Sequence, residues 1–358
     1  AITTPISDGF RNAAEDDSPQ TISGTTDAED GQKVTLTLND GTTTVVRYAI
    51  ANDGNWSYKF SAYDLAKFDE GTVTVTAEVY NRVGNGGSAS ATYVYDITAP
   101  VKPVVALATD SGDNTADGVT NDLALTTPAS IEQDATVEYQ INGKAWSETY
   151  TAPVADGNYT VNVRQTDSAG NPSELTTLTL KLDATDPTVT TTAVSADEEQ
   201  TAVATLKANE SVSWALGDGG DNDLFTLTTE GVLTFKAAPS YEGDKQSFTV
   251  NVVATDVAGN DKAQAITVSL KDINEDPVAS STIADQVVVT GQAYELKLAD
   301  YFSDVDAKDA TLTYSVVSGD LPADITFASG VISGPTDSTA VTRDITVRAT
   351  DSSGKSVE

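Results

Sequence analysis

The sequence predicts an all-β protein built as four tandem β-sandwich domains in an elongated rod. Three observations lead there. Thr, Val, Asp, Gly and Ala dominate the 358 residues, and no segment keeps a 3.6-residue apolar period. That composition favours strands and turns over helices. Four stretches alternate apolar and polar residues, and each runs into a similar turn. An Asp-to-Pro punctuation follows three of those turns at a nearly constant distance.

The alternating stretches are Val73, Val75, Ala77 and Val79, then Tyr159, Val161 and Val163, then Phe248, Val250, Val252 and Ala254, then Ile345, Val347 and Ala349. A period of two is that of a half-buried strand. The turns are Asn81-Arg82-Val83-Gly84-Asn85, Asp167-Ser168-Ala169-Gly170-Asn171, Asp256-Val257-Ala258-Gly259-Asn260 and Asp351-Ser352-Ser353-Gly354-Lys355. They open at 81, 167, 256 and 351, so the steps are 86, 89 and 95 residues. This is an internal repeat of domain size, and a seven-stranded sandwich takes roughly 100 residues. The punctuation is Asp96-Ile97-Thr98-Ala99-Pro100, Asp183-Ala184-Thr185-Asp186-Pro187 and Asp272-Ile273-Asn274-Glu275-Asp276-Pro277, at offsets of 15, 16 and 16 from the turns. One last strand fits that interval, and the prolines restrict the linker that follows. Domains are therefore expected at 1–99, 100–186, 187–276 and 277–358. The fourth turn has no such sequel before Glu358, so the final strand of the fourth domain is expected to be incomplete or supplied from elsewhere. At about 33 Å per ten-residue strand, four domains end to end approach about 150 Å.

Composition removes several function classes. The chain carries 20 Lys and Arg against 54 Asp and Glu, a formal charge of −34. Nucleic acid and anionic membrane surfaces are excluded as partners by that balance. With no Cys and no His, disulfides, Cys/His zinc sites and Ser-His-Asp or Cys-His catalytic sets cannot be built. No apolar run approaches the roughly 18 residues of a spanning helix, so no membrane insertion is expected. The start, Ala1-Ile2-Thr3-Thr4-Pro5, lacks signal-peptide features and the chain has no Met, so it reads as an internal piece of a longer protein, expected as a monomer. Carboxylates abound, yet none stands out as a catalytic pair and tandem repeats offer no obvious deep cleft. No enzyme is expected.

The placement of the acids suggests a metal. In a sandwich whose strands alternate in direction, the four turns lie at the pole where the chain enters and face the preceding linker. Acids before the preceding strand, among them Asp69-Glu70, Asp156 and Glu242, lie at the exit pole. Carboxylates thus converge on each junction. Two unit charges at about 4 Å repel by roughly 1 kcal/mol in water and about 4 kcal/mol at an effective dielectric of about 20. Oxygen-only donors rich in carboxylate suit Ca2+ better than Mg2+. Any one turn alone is equally well read as Asp, Asn and Gly making a good turn; the repetition together with linker acids favours the cation. The first junction is expected to use Asp96 and Asp167 with Glu70 or Asp69. The second is expected to use Asp183, Asp186 and Asp256 with help from Asp110, Asp117 or Asp122. The third is expected to use Glu242, Asp272, Asn274, Asp276, Asp304, Asp306 and Asp351, with no basic residue in the motifs. A calcium takes six to eight oxygens, so the third set is expected to hold two or three ions.

These residues also resemble known modules. Ala202-Val203-Ala204-Thr205-Leu206 through Gly231-Val232-Leu233-Thr234-Phe235, with Tyr241-Glu242 and the 256–260 and 272–277 motifs, resemble a bacterial cadherin-like repeat. The likeness departs at Ala208-Asn209-Glu210, where many cadherins carry Asp-Xaa-Asp, and Glu210 becomes the replacement ligand. It also implies that one of Glu198 and Glu199 reaches the exit pole, with Glu199 the candidate. The fourth domain resembles a dystroglycan-type cadherin-like module through Ile283-Ala284-Asp285-Gln286, Tyr301-Phe302-Ser303-Asp304-Val305-Asp306 and Leu312-Thr313-Tyr314-Ser315. The second, with Asp110-Ser111-Gly112, Asp117-Gly118-Val119-Thr120-Asn121-Asp122 and Val163-Arg164-Gln165-Thr166-Asp167, is similar to immunoglobulin-like repeats of bacterial biofilm proteins. The first, with Asn55-Trp56-Ser57 and Gly71-Thr72-Val73-Thr74-Val75, looks like an adhesin extender repeat, with Asn81 where the family usually has Asp. Together they resemble giant repeats-in-toxin (RTX) adhesins of Gram-negative bacteria. That implies secretion to the bacterial surface and calcium-dependent rigidity. It also implies a structural role in cell adhesion or biofilm formation, with neighbouring domains of a longer chain as partners. The alternative is a region that itself binds a cell-surface glycan or protein.

Two further features are given bland readings. Trp56, Trp146 and Trp214 are expected to fill cores or cover strand edges rather than stack on sugars. Gly217-Asp218-Gly219-Gly220-Asp221-Asn222-Asp223 lacks the Glu and flanking helices of an EF-hand and reads as a strand connection.

Overall fold

The computed structural model describes residues 1–358 apart from 5, 7, 244, 290, 307–309 and 336–340. Among the described residues, helix is confined to Ala62–Leu65 and the single turns Asn222–Leu224 and Leu298–Asp300; the remaining regular structure is strand. The all-β expectation holds. The chain divides into two compact units, Ala1–Thr185 with Val257–Asn260, and Asp186–Asp256 with Asp261–Glu358.

In the first unit, a five-stranded sheet runs in the order Phe10–Arg11, Gly86–Tyr95, Gly71–Tyr80, Lys33–Asn39, Thr44–Ile50. A three-stranded sheet of Ile2–Thr4, Gln20–Thr25 and Asn55–Phe60 packs across from it. Val73, Val75, Leu36 and Tyr93 from one sheet meet Ile22, Trp56 and Phe60 from the other in one buried cluster. This is what alternation requires, since every second side chain of a strand points to the same face. A second sheet of the same unit orders Thr136–Ile141, Gly157–Thr166, Thr176–Leu182 and Val119–Thr120. Its inward Val161, Val163, Leu180 and Leu182 bury Val105 and Leu123 from the facing layer.

In the second unit, the sheet Ala193–Asp197, Asp261–Lys271, Ser247–Asp256, Val212–Gly220 packs on Ala202–Thr205, Val232–Phe235 and Phe225–Leu227. Phe225, Phe235 and Phe248 pack against one another with centroids 4.4 to 5.9 Å apart. A further sandwich follows. Ala293–Lys297, Val331–Pro335 and Thr326–Ala328 form one face, and Thr313–Ser318, Thr346–Thr350 and Ser356–Val357 the other. They enclose Leu296, Leu298, Leu312, Ile325, Ile332 and Ala349. The Ser356–Val357 strand pairs with Thr350 and Ala349. The segment 217–223, expected to be a strand connection, is split: 217–220 end the strand Val212–Gly220, and only Asp221 and the helical turn from Asn222 connect onward; Asn222 donates to Gly217 O and Asn251 O, and Asp221 accepts from Thr249 N.

The repeated turn has one geometry. Its glycines, Gly84, Gly170, Gly259 and Gly354, have φ of +87, +92, +86 and +93°, a left-handed conformation that a Cβ disfavours. In three of the turns the first side chain accepts from the backbone N–H four residues on: Asn85 N to Asn81, Asn171 N to Asp167 and Lys355 N to Asp351, each 2.8 Å.

Candidate metal centre

Asn81 makes this turn bond without a charge. The turn therefore needs an oxygen acceptor and not a carboxylate, and the negative charge at Asp167 and Asp351 is surplus to it.

Within the second unit, the linker 272–277 threads between side chains from three other stretches of chain. Glu198 follows the strand Ala193–Asp197 and is 1% exposed. Its Oε2 accepts from Tyr241 N at 2.6 Å and its Oε1 from Ile273 N at 2.7 Å. One carboxylate thus ties the segment that precedes Ser247–Asp256 to the linker. Glu198, Glu242 and Asp272 bring an oxygen each within 4.8 Å of one another. Glu242, Glu275 and Asp306 do the same. Glu242 is common to both trios.

The linker and the loop at 304–306 are interlocked. Glu275 N donates to Asp306 Oδ2 at 3.1 Å, and Asp306 N to Asp304 Oδ1 at 2.9 Å. Asn274 Nδ2 donates to Asp351 Oδ2 at 2.8 Å. These bonds leave Asn274 Oδ1, Glu275 Oε2 and Asp304 Oδ2 buried with no hydrogen-bond partner. A buried acceptor left in that state costs about 1–3 kcal/mol, and more when charged. Burial, then the charges of Glu198, Asp306, Glu242 and Glu199, push the Glu275 carboxyl up to about 7. Asp351 goes the other way. Burial opposes its ionisation, but bonds from Asn274, Lys355 N, Ser353 and Gly354 hold it at about 2. Oxygen donors alone, mostly carboxylate, two of them (Glu275 Oε2 and Asp304 Oδ2) buried without a protein donor, fit a hard cation such as calcium. Asp272 and Glu242 would join one ion to Glu198; Glu242, Glu275 and Asp306 would hold another.

The remaining candidates of this junction fall outside the two trios. Glu199 is exposed, with φ of +55°, and its neighbour Glu198 takes the inward position. Asp276 is 65% exposed and lies 3.3 Å from Lys355 Nζ. Lys355 closes the fourth turn, so the expectation of no basic residue in these motifs is corrected. The pair is exposed and such pairs contribute about 0–1 kcal/mol. Glu275 was missed by sequence reasoning. It lies in the linker motif 272–277, which is irregular and carries no period from which the direction of its side chain can be read.

In the first unit, Glu70 Oε1 accepts from Ile97 N at 2.7 Å and from Thr98 Oγ1 at 2.9 Å. Of the alternatives Glu70 and Asp69, Glu70 is on the linker, while Asp69 bonds Thr42 Oγ1 at 3.3 Å and its own N–H bonds Asp40. Asp96 is raised, by burial first and also by Asp167 and Glu70, although a bond from Thr98 N opposes the shift. Asn171 Nδ2 donates to Asp96 O at 2.9 Å, and Ala13 N to Asn171 Oδ1 at 2.8 Å. Asp156 accepts from Ala184 N at 2.7 Å, the role Glu70 plays at Ile97. Asp110 Oδ2 accepts from Gly118 N at 3.0 Å while its Oδ1 is buried without a partner. Asp117 and Asp122 accept from Val119 N and Ala124 N, each two residues on, and so serve their own turns. Asp183 lies 3.6 Å from Lys181 Nζ. Among the described residues, no trio of convergent carboxylates lies wholly within this unit. In the second unit, Asp186 lies 3.7 Å from Lys262 Nζ, Glu210 is exposed, and Asp256 is 3% exposed at the end of its strand.

Three family profiles match parts of the chain: a bacterial Ig-like domain over 96–184, a group 3 bacterial Ig-like domain over 144–231, and a putative Ig domain over 276–358. No curated protein sequence matches significantly. Among solved structures, a calcium-stabilised ice-binding adhesin of an Antarctic bacterium is 19% identical, covering 99% of this chain and 95% of that one at a TM-score of 0.36. A 1.5-MDa bacterial ice-binding adhesin is 21% identical over 74% and 95%, at 0.33. Extracellular cadherin domains 3–6 of protocadherin gamma B2 are 14% identical over 97% and 95%, at 0.36.

Proposed function

We propose that this chain is a calcium-rigidified extender segment of a secreted bacterial cell-surface adhesin, of the repeats-in-toxin kind. It would hold ligand-binding domains away from the cell for adhesion or biofilm formation. The observation that carries this reading is the pair of carboxylate trios sharing Glu242, beside buried linker and loop oxygens that no protein donor reaches. A cation there would bond the linker 272–277 to both sandwiches that it connects. Without one, like charges repel and the linker loses its clamp. The working division is 1–99, 100–186, 187–276 and 277–358, with neighbouring domains of a longer chain as the partners. No residue set in the chain is assigned a catalytic role. Among the described residues, no helix is long and apolar enough to cross a membrane.

The test is calcium titration by calorimetry of the whole chain and of a Glu242→Ala, Asp306→Ala double variant. The parent should bind at least two ions that the variant loses, with circular dichroism unchanged. Full stoichiometry in the variant would remove this site from the mechanism.

A further inference from the structure

Three of the four sandwiches seat their last strand in the same way. Gly86–Tyr95 pairs antiparallel with Gly71–Tyr80 over ten positions, Thr176–Leu182 with Gly157–Thr166 over seven, and Asp261–Lys271 with Ser247–Asp256 over nine. On its other side each last strand carries a parallel partner: Phe10–Arg11, Val119–Thr120 and Ala193–Asp197. In the fourth sandwich the equivalent strand, Ser356–Val357, pairs with Thr346–Thr350 at two positions, Thr350 and Ala349. Further along the same stretch, Val347, Ile345, Arg343 and Val341 line a cavity of about 360 Å³. Ile283, Val288, Leu296 and Ile325 line it from other elements. Ile283 lies six residues after Pro277, as Ala193 does after Pro187. It stands where the parallel partner of the third sandwich begins, yet 283–288 belong to no strand. Both flanks of a last strand are thus in place beside an open cavity.

The pairing of the other sandwiches says what fits there. Counted back from the turns that open at Asn81, Asp167, Asp256 and Asp351, Ile345 corresponds to Val75, Val161 and Val250. Across the ladder these face Ala91, Leu178 and Ile266. Arg343 corresponds to Val73, Tyr159 and Phe248, which face Tyr93, Leu180 and Val268. Two residues further along the last strands come Tyr95, Leu182 and Leu270. These last six side chains are all buried. A dry cavity of about 150 Å³ lined by aliphatic and aromatic side chains takes one benzene. About 360 Å³ therefore has room for roughly two to three groups of that size.

We propose that this cavity and the edge beside it form a strand-acceptor groove, filled by the stretch of the parent chain that continues Ser356–Val357. That the chain is longer rests on the extender reading; the register rests on the fourth sandwich alone. The incoming strand would run antiparallel to 341–348 and parallel to 283–288. Its residues opposite Ile345, Arg343 and Val341 would be large and apolar. They would point into the cavity, because alternate residues of a strand share a face. Val357 already sits in the ladder, so the residues that follow it reach the groove without a closing loop, whose entropy would oppose the contact. Filling the groove also covers a sheet edge that would otherwise template pairing with another chain.

The test extends the full chain after Glu358 by a copy of Gln264–Lys271, with calcium present. The Ala349–Val357 register then sets the copied Ile266 opposite Ile345, Val268 opposite Arg343 and Leu270 opposite Val341. The control places one Ser before the same copy, which turns those three side chains outward. Amides of 343–348 should exchange about tenfold or more slowly in the in-register chain than in the parent or the control, read by mass spectrometry. The lowest thermal midpoint should rise by about 5 °C or more over both. Equal exchange in the in-register and control chains would overturn the proposal. A free Gln264–Lys271 peptide at micromolar concentration should leave these amides as they are in the parent, because only the tether supplies an effective concentration of about millimolar. Equal protection by the free peptide would overturn the assignment to the chain's own continuation. Calcium calorimetry reads the linker 272–277 separately, so failure of the groove leaves the metal reading standing.

Discussion

At the scale of single residues, the acids sort by what already binds them. Asp276 is exposed and sits by Lys355, whereas Glu242 belongs to two carboxylate trios. Asp276→Ala should therefore change calcium affinity by less than about threefold, and Glu242→Ala by about tenfold or more at both ions, read by calorimetry. Glu275 gives a pH signature. Its folded carboxyl titrates at about 7 against an ordinary 4.5. In chelator the folded state holds that proton more tightly than the unfolded chain does. Stability should then fall as pH rises from about 4.5 to about 7. Glu275→Gln should flatten that part of the profile, as followed by urea midpoints. An unchanged slope would assign the dependence to the general negative charge of the chain instead.

At the scale of elements, the turn is the informative unit. All four turns place glycine at φ near +90°. At Gly84 an added Cβ would meet nothing within 4 Å, while at Gly170 it would meet Asn12 Nδ2 at 3.1 Å. Gly84→Ala should then cost only backbone strain, about 1 kcal/mol. Gly170→Ala should cost more, because Asn12 Nδ2 also bonds Ala169 O at 2.9 Å. Denaturant unfolding of the two variants measures the difference. The strands were legible because alternation survives in sequence: Val73, Val75 and Ala77 are all buried, as are Val250, Val252 and Ala254. The turns were legible because glycine and an Asx acceptor recur at fixed spacing. Linker acids were less so. Glu198 and Glu199 are adjacent in sequence, yet Glu198 is buried with bonds from Tyr241 N and Ile273 N while Glu199 is exposed, a difference that no sequence pattern encodes.

At the scale of the whole molecule, bound calcium is expected to act through mass action and through geometry. At a hundredfold excess over its dissociation constant, each ion bound only by the folded state adds about 2.7 kcal/mol. Thermal unfolding should shift upward with calcium and return with chelator. Small-angle scattering should give a larger and better-defined maximum dimension with calcium than with chelator. Identical profiles in the two conditions would leave the acids as a solvated surface, as their self-repulsion alone would suggest.

The sequence by itself determined the class of architecture, the repeat, the absence of thiol and imidazole chemistry, and the oxygen-rich character of the junctions. Each is carried by composition or by short-range periodicity, which folding does not rearrange. Tertiary structure alone decided which oxygens meet. It chose Glu198 over Glu199, brought in Glu275, gave Asp117 and Asp122 to their own turns, and set Lys355 beside Asp276. It also put Trp56 and Trp214 in cores and left Trp146 half-buried. The physical reason is the same throughout. A ligand set joins stretches of chain that are far apart in sequence, as Glu242 and Asp306 are, and irregular linkers carry no period from which the direction of a side chain can be read.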